Sequence, residues 1–408
     1  MRILIIDPLL KNQCGHCFFY TKAVQTELQK RNIPTYIFGN LEADKICLTL
    51  QNFYPSFTGI IDKAFNAGFW KLLTLYKDIQ VLKKQFSKVF LTDFKIEKDD
   101  IFFCHTLYVF ELLSFALFLK KNKKIVVTNK NKIVIFLRFA FIRKSIFLTL
   151  FFITMYKIIC NFILKGLNSQ ITYVTDSDLL KIAYEKLINK KLVVFPIPVY
   201  PIYSSRVSSK FDIRNENKTI ISSVGGTRYN KGFDLFVKMI DNLIKDPFFS
   251  DRTFFVVQVD IPSQTKPELN KVLKIIKLLE NLRNTNPNIK IVYGTLQQDE
   301  YYELMYKSDI IVLPYRQEGF SNATSNILTE SVVLGKIPVG SSGTWIGHEL
   351  LKYNLEDLIF KNGDLQDLIK VVKNVVLNYS QYKDKIKPIQ TEYIKFHNSK
   401  NLVDKLLK

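Results

Sequence analysis

Short runs of consecutive aliphatic and aromatic residues recur along most of the chain. Between them lie longer stretches in which apolar positions return every three or four residues. Uninterrupted apolar runs suit strands buried on both faces, and the second pattern suits helices that cover them. In the first half the pattern predicts strands over Arg2–Asp7, Thr35–Phe38, Asp100–Phe103, Lys124–Thr128, Ile171–Thr175 and Leu192–Phe195. It predicts a helix over Phe18–Asn32 and another between the last two strands. Pro196, Pro198 and Pro201 then interrupt it, and a Ser-rich polar stretch runs to Asn217. The alternation restarts with strands over Thr219–Val224, Thr253–Val259, Ile289–Tyr293, Asp309–Leu313 and Ile337–Gly340. Helices are expected over Gly232–Lys245, Lys266–Leu282, Asp299–Lys307 and from about Ser325.

This organisation predicts an α/β chain of two doubly wound Rossmann-like domains facing a cleft. The first spans 1–200, a linker 201–217 and the second 218–385, with a C-terminal helix over 386–408 packing back on the N-terminal domain. Ligands of open α/β sheets sit beyond the carboxyl ends of the strands, so the chemistry is expected there.

One segment departs from the alternation. From Ile133 to Leu164 the chain is intensely apolar, with Arg138, Arg143, Lys144 and Lys157 interspersed. Its longest uncharged stretch, Ser145–Tyr156, is 12 residues, whereas a spanning helix needs about 20. Two readings stand: a buried helix of the first domain, or a basic apolar helix lying in a membrane interface.

Composition bounds the partners. The 408 residues carry 58 Lys and Arg against 37 Asp and Glu, a net charge of +21, and only 10 of the cations are Arg. The lysines are spread along the chain rather than clustered with aromatics, which disfavours a nucleic-acid reader. A solvated surface or an anionic membrane surface fits better. Five cysteines, an odd and sparse set, argue against a disulfide scaffold and for a reducing compartment. The apolar run Ile3–Ile6 is too short for a signal sequence. The expected location is cytoplasmic, peripheral at the inner face of a membrane.

Two stretches carry the candidate chemistry. Ser223-Val-Gly-Gly-Thr-Arg-Tyr-Asn-Lys-Gly232 follows a strand and opens a helix. Gly225 and Gly226 permit close backbone approach, and Arg228 and Lys231 add positive charge beside a helix N-terminus, a combination suited to a diphosphate. The alternative is a glycine turn with two solvated cations. The second stretch runs from Leu313 through Pro314 and a polar loop to a helix starting near Thr324 or Ser325, whose free N–H groups favour an anion. Glu330 lies on that otherwise apolar helix. Its carboxylate needs partners there, either a pair of ribose hydroxyls or a lysine at the core edge.

The Gly225–Lys231–Gly232 spacing, the Asp309-Ile-Ile-Val-Leu-Pro314 strand and the Glu330…Gly335-Lys-Ile-Pro-Val339 ending resemble a retaining GT-B glycosyltransferase of the large group 1 (family four) class. The first strand, loop and helix with Gly15-His16 fit the same pattern. The resemblance covers most of the chain and is specific in the second domain. It implies that Lys231 and Arg228 hold the donor diphosphate, that Glu330 binds the nucleotide ribose, and that the Gly294-Thr295-Leu296 turn lies against the base. Gly15 would bring backbone near the phosphates. His105 would lie near the transferred sugar as a catalytic group, the alternative being a satisfied structural histidine, and His16 on the acceptor side.

The sequence departs from the family at two points. The family has Glu, seven residues, then Glu; counting back from Glu330 gives Asn322, while Glu318 stands four residues earlier. The family's arginine directly after the first loop glycine is Gly226 here, with Arg228 two residues on. The expected reaction is metal-independent and retaining, needs no cofactor, and moves a sugar from a nucleotide sugar to a glycan or lipid-linked acceptor. The alternatives are a nucleotide-sugar hydrolase or epimerase, and a non-catalytic membrane- or partner-binding protein on the same scaffold.

Overall fold

Ile3, Leu4, Ile5 and Ile6 are all fully buried, and they divide between two faces. Side chains alternate across a strand. Leu4 and Ile6 therefore join one apolar cluster, and Ile3 and Ile5 another on the opposite side. A computed structural model describes residues 1–12, 16–59, 71–138, 146–199, 217–261 and 266–408. The chain divides into two compact units, Met1–Tyr200 with Ser399–Lys408, and Pro201–Asn398.

The first unit holds strands β1 (Ile3–Ile6), β2 (Thr35–Asn40), β3 (Phe53–Phe57), β4 (Ile101–Cys104), β5 (Lys132–Phe136), β6 (Ile171–Thr175) and β7 (Leu192–Val194). They form one parallel sheet in the order β3-β2-β1-β4-β5-β6-β7. Its described helices are α1 (His16–Lys30), α2 (Lys71–Lys88), α3 (Val109–Lys121), the short α4 (Lys123–Thr128), α5 (Ile146–Lys157) and α6 (Asp178–Ile188). Helix α5 continues as a π-helical stretch, Ile158–Ile163.

The second unit repeats the scheme with β8 (Thr219–Ser223), β9 (Thr253–Val259), β10 (Ile289–Tyr293), β11 (Ile310–Leu313), β12 (Ile337–Ser341) and β13 (Ile359–Phe360). Their order is β10-β9-β8-β11-β12-β13, again parallel. Helices α7 (Phe233–Ile244), α8 (Lys266–Thr285), α9 (Gln298–Lys307), α10 (Asn326–Val333), α11 (Trp345–Lys352), α12 (Leu365–Leu377) and α13 (Tyr379–Phe396) belong to it. In both sheets the chain starts at an inner strand, winds outward, then returns to the other side. That reversal is the doubly wound signature.

Three sequence expectations need correction. Lys124–Thr128 is helical, in α4, rather than a strand. Of its apolar residues only Val126 is buried; Ile125 and Val127 are 40% and 41% exposed. That is the burial of one helical turn. The strand at this point in the sheet is β5, where Ile133, Val134, Ile135 and Phe136 are all buried. The apolar segment Ile133–Leu164 is thus a central strand followed by a helix, not one helix. The C-terminal region expected as a single helix over 386–408 is two. Helix α13 packs on α10, with Gln390 Nε2 donating to the Val333 carbonyl at 2.9 Å. Helix α14 (Ser399–Leu407) packs on α1 in the first unit. There Leu402, Val403 and Leu406 complete an apolar cluster, and Arg31 donates to Asp404 at 2.6 Å.

Candidate active site

The second sheet reverses between β8 and β11, which pair through Ile310↔Ile221 and Ile311↔Ser222. In an open α/β sheet the ligand crevice lies beyond the carboxyl ends of the strands at such a reversal. Gly232, at φ 71°, ends the loop after β8. A Cβ there would lie 1.8 Å from the Pro314 carbonyl oxygen at the end of β11. Only glycine lets these two loops touch, and only glycine adopts this backbone at little cost. Gly225, at φ 92°, is closed over in the same way: a Cβ would lie 2.7 Å from Ile327 Cδ1 and 3.6 Å from Lys231 Nζ. The first turn of α10 and the Lys231 amine thus both face Gly225.

Two loops are stitched to strand β9 by one side chain. The Gly225 amide donates to Gln258 Oε1 at 2.8 Å, and Gln258 Nε2 donates to the Gly294 carbonyl at 3.1 Å. Beside it the Thr227 hydroxyl accepts from the Asp260 amide at 2.9 Å, and the Thr295 hydroxyl donates to Asp260 Oδ1 at 3.0 Å. Gly225, Gly226, Thr227, Arg228, Lys231, Gln258 and Tyr315 line one small pocket. Gln258, Asp260 and Tyr315 were not legible as site residues. A lone Gln near a strand end or a Tyr after a proline carries no spacing signal.

The charges in this crevice are unequal. Arg316 is held by Asp234 through two bonds, at 2.8 and 2.7 Å, and stacks over Tyr229. Lys231 instead has the Tyr315 ring, 5.5 Å from its amine. Arg228 is exposed at the start of the single 3₁₀ turn Tyr229–Lys231. Among the described residues neither cation forms an ion pair, so both remain available to an anion.

Helix α10 is capped by Ser325, whose hydroxyl accepts from the Leu328 amide at 3.3 Å. Asn322 and Thr324 are partly exposed just before it. Glu318 is exposed on the single turn Gln317–Phe320, whose Gly319 approaches Asn230. One turn into α10, Glu330 meets two hydroxyls of the protein itself. Tyr301 Oη donates to Glu330 Oε2 at 2.5 Å, and Tyr302 Oη donates to Oε1 at 3.3 Å. Both tyrosines lie on α9, which follows the Gly294-Thr295 turn. Burial pushes the Glu330 carboxyl up to about 7 against these two bonds, which favour its charged form. A carboxylate has about four acceptor positions, so two remain. The adjacent tyrosines at 301–302 were the available signal for this contact, which the lysine alternative overlooked.

The first unit gathers a buried polar group at the ends of β1, β4, β5 and β6. His105 is fully buried, with Nε2 2.8 Å from Thr21 Oγ1 and 3.5 Å from Asp7 Oδ2. Tyr20 stacks on its ring at 4.7 Å. Burial drives His105 well below its ordinary range, so it is neutral, and raises Asp7 to about 6 while Thr106 donates to Asp7. Arg138 lies across Tyr20, with Nε 3.1 Å from Asp176. His16 is the first residue of α1, and Gly15 lies outside the described residues.

Residues 206–390 match the model of the glycosyl transferases group 1 family. No curated protein matches the chain in sequence. In fold, the chain is similar to the N-terminal domain of trehalose-6-phosphate phosphatase from Candida albicans (TM-score 0.70, 12% identity, 100% of this chain and 96% of that one). It is also similar to a UDP-forming α,α-trehalose-phosphate synthase from Burkholderia vietnamiensis (TM-score 0.67, 12% identity, 100% and 99%). A third is an Anabaena protein solved in complex with UDP and glucose (TM-score 0.58, 14% identity, 100% and 98%). The doubly wound sheets of both units thus give the chain the GT-B fold, and residues 206–390, most of the second unit, match the glycosyl transferases group 1 family.

Proposed function

We propose that the enzyme transfers a sugar from a nucleotide-sugar donor to a hydroxyl of a glycan or lipid-linked acceptor, with retention and without a metal, on the cytoplasmic side of a membrane. The observation that carries this reading is the Lys231 amine, without an ion-pair partner among the described residues, against Gly225, at the reversal of the second sheet and beside the first turn of α10. Leaving-group departure places negative charge on the donor diphosphate. Lys231, Arg228 and the α10 amides would meet that charge without reorganising. Glu330 would take the ribose hydroxyls with its two remaining acceptor positions, and the Gly294-Thr295 turn the base. Tyr301 couples these parts, since the helix that begins after that turn also holds Glu330. The solved Anabaena relative, in complex with UDP and glucose, supports a nucleotide sugar as donor.

The sugar itself would lie toward Asn322 and Glu318, where an amide and a displaced carboxylate replace the family's first glutamate. An amide can hydrogen-bond a sugar hydroxyl but adds no charge.

The test is a panel of radiolabelled nucleotide sugars with and without membrane extract, each with excess EDTA. Acceptor-dependent transfer that persists in EDTA is the expected result. Release of free sugar without acceptor would favour the hydrolase, and activity restored only by Mg²⁺ or Mn²⁺ would overturn metal independence.

A further inference from the structure

The helix Ile146–Ile163 has a mean hydropathy of 2.0, yet only 22% of it is buried. Its inner side is core: Phe152, Tyr156, Ile159 and Cys160 are packed into the first unit's apolar cluster, with Tyr156 against Tyr184 of α6. Its outer side is not. Ile146, Leu150, Ile158 and Phe162 repeat every fourth or eighth residue and are 79%, 56%, 40% and 72% exposed, with Phe147 at 73% beside them. An apolar stripe of this extent marks an interaction surface.

Charge selects the occupant. From Leu112 to Thr175 the sequence has eleven Lys and Arg and no Asp or Glu. Lys157 and Lys165, on and just beyond the helix, are exposed. Lys123 of α4 joins them, because a Cβ on Gly166 would lie 2.7 Å from its amine. A second copy docking through the same face would set lysines against lysines. An apolar stripe bordered by these lysines fits hydrocarbon beneath anionic headgroups. A true span would strip Phe152, Tyr156 and Ile159 out of the core, so the helix lies in the interface.

We infer that the outer face of Ile146–Ile163 docks the first unit on an anionic lipid surface, with Lys123, Lys157 and Lys165 on the headgroups. The acceptor is then carried in that surface; this second half alone rests on the glycosyl-transfer reading.

The docking is read by sedimentation with phosphatidylglycerol-containing vesicles, without any nucleotide sugar, so that its failure is distinct from failure of transfer. Expected are pelleting with these vesicles at low salt, loss at high salt, and none with phosphatidylcholine alone. Phe147→Asn with Phe162→Asn should weaken binding at least about tenfold, since each removes an exposed ring from hydrocarbon. Lys157→Gln and Lys165→Gln should each cost about fivefold. Thermal melts should be unchanged because all four side chains face water. Four outcomes would overturn the docking: no pelleting at low salt, variants that bind like wild type, a light-scattering dimer abolished by the Phe substitutions, and retention in membranes after alkaline carbonate. Intact docking with transfer only to soluble acceptors would overturn the second half.

Discussion

Tyr301 donates its phenolic proton to the Glu330 carboxylate across the gap between α9 and α10. The bond opposes burial, which raises Glu330 to about 7. Removing it with Tyr301→Phe takes away a donor that favours the charged form, so the carboxyl should titrate higher still. Donor affinity, if the carboxylate grips ribose, should rise with pH through about 7 in the wild type and at higher pH in Tyr301→Phe. Titration calorimetry with nucleoside diphosphates across that range checks it. Glu330→Gln should lose roughly 1.5–3 kcal/mol of donor binding and the pH dependence together.

The same residue gives a stability signature. Its folded value lies above the ordinary 4.5. Between about 4.5 and 7 the folded chain therefore holds a proton that the unfolded chain has released. Glu330's contribution to stability should fall as pH rises through that window. Urea midpoints of Glu330→Gln should be flatter with pH than those of the wild type.

Lys231→Ala should lower transfer by roughly 3–4 kcal/mol in barrier, the scale of losing one preorganised electrostatic donor. Its amine has an aromatic neighbour rather than a carboxylate, so the melting temperature should hold. Arg228→Ala, exposed and two residues from the family position, should do less. A normal turnover in Lys231→Ala would move the diphosphate site elsewhere.

Gly232 and Gly363 offer a matched pair. Both have left-handed backbone, φ 71° and 78°. A Cβ at Gly363 meets nothing within 4 Å, whereas one at Gly232 meets the Pro314 carbonyl. Gly363→Ala should cost about 1–2 kcal/mol from backbone alone. Gly232→Ala should cost clearly more and distort the crevice. Urea unfolding of both variants measures the difference.

Asn322 and Glu318 can be separated by turnover. If Asn322 occupies the sugar-facing position, Asn322→Glu should be tolerated or faster. If Glu318 serves, Glu318→Gln should be the damaging change and Asn322→Glu should crowd two acids. Unchanged rates in both would remove this loop from the sugar.

Much of this was readable from residue order, for a physical reason. Parallel strands buried on both faces are unbroken apolar runs, so Thr253–Val259 and Ile289–Tyr293 were found with their bounds intact. Lys124–Thr128 misled because a six-residue helix with one buried side chain looks like a short strand. The loops after β8 and β11 were legible through Gly232, Lys231 and Pro314. Gln258 was not, because stitching two loops to a strand depends on where strand ends meet, and spacing along one strand does not reveal it.

Helix α14 sets an order on synthesis. Leu402, Val403 and Leu406 close the α1 side of the first unit, yet they are translated after the whole second unit. At ordinary translation rates the α1 face waits on the order of ten to forty seconds for its cover. During that interval the nascent first unit presents Phe18, Val24 and Leu28 without the side chains that later bury them. The earlier half of the polypeptide is thus the later half to mature, and a chain stalled before Ser399 would leave the ribosome as a client for chaperones.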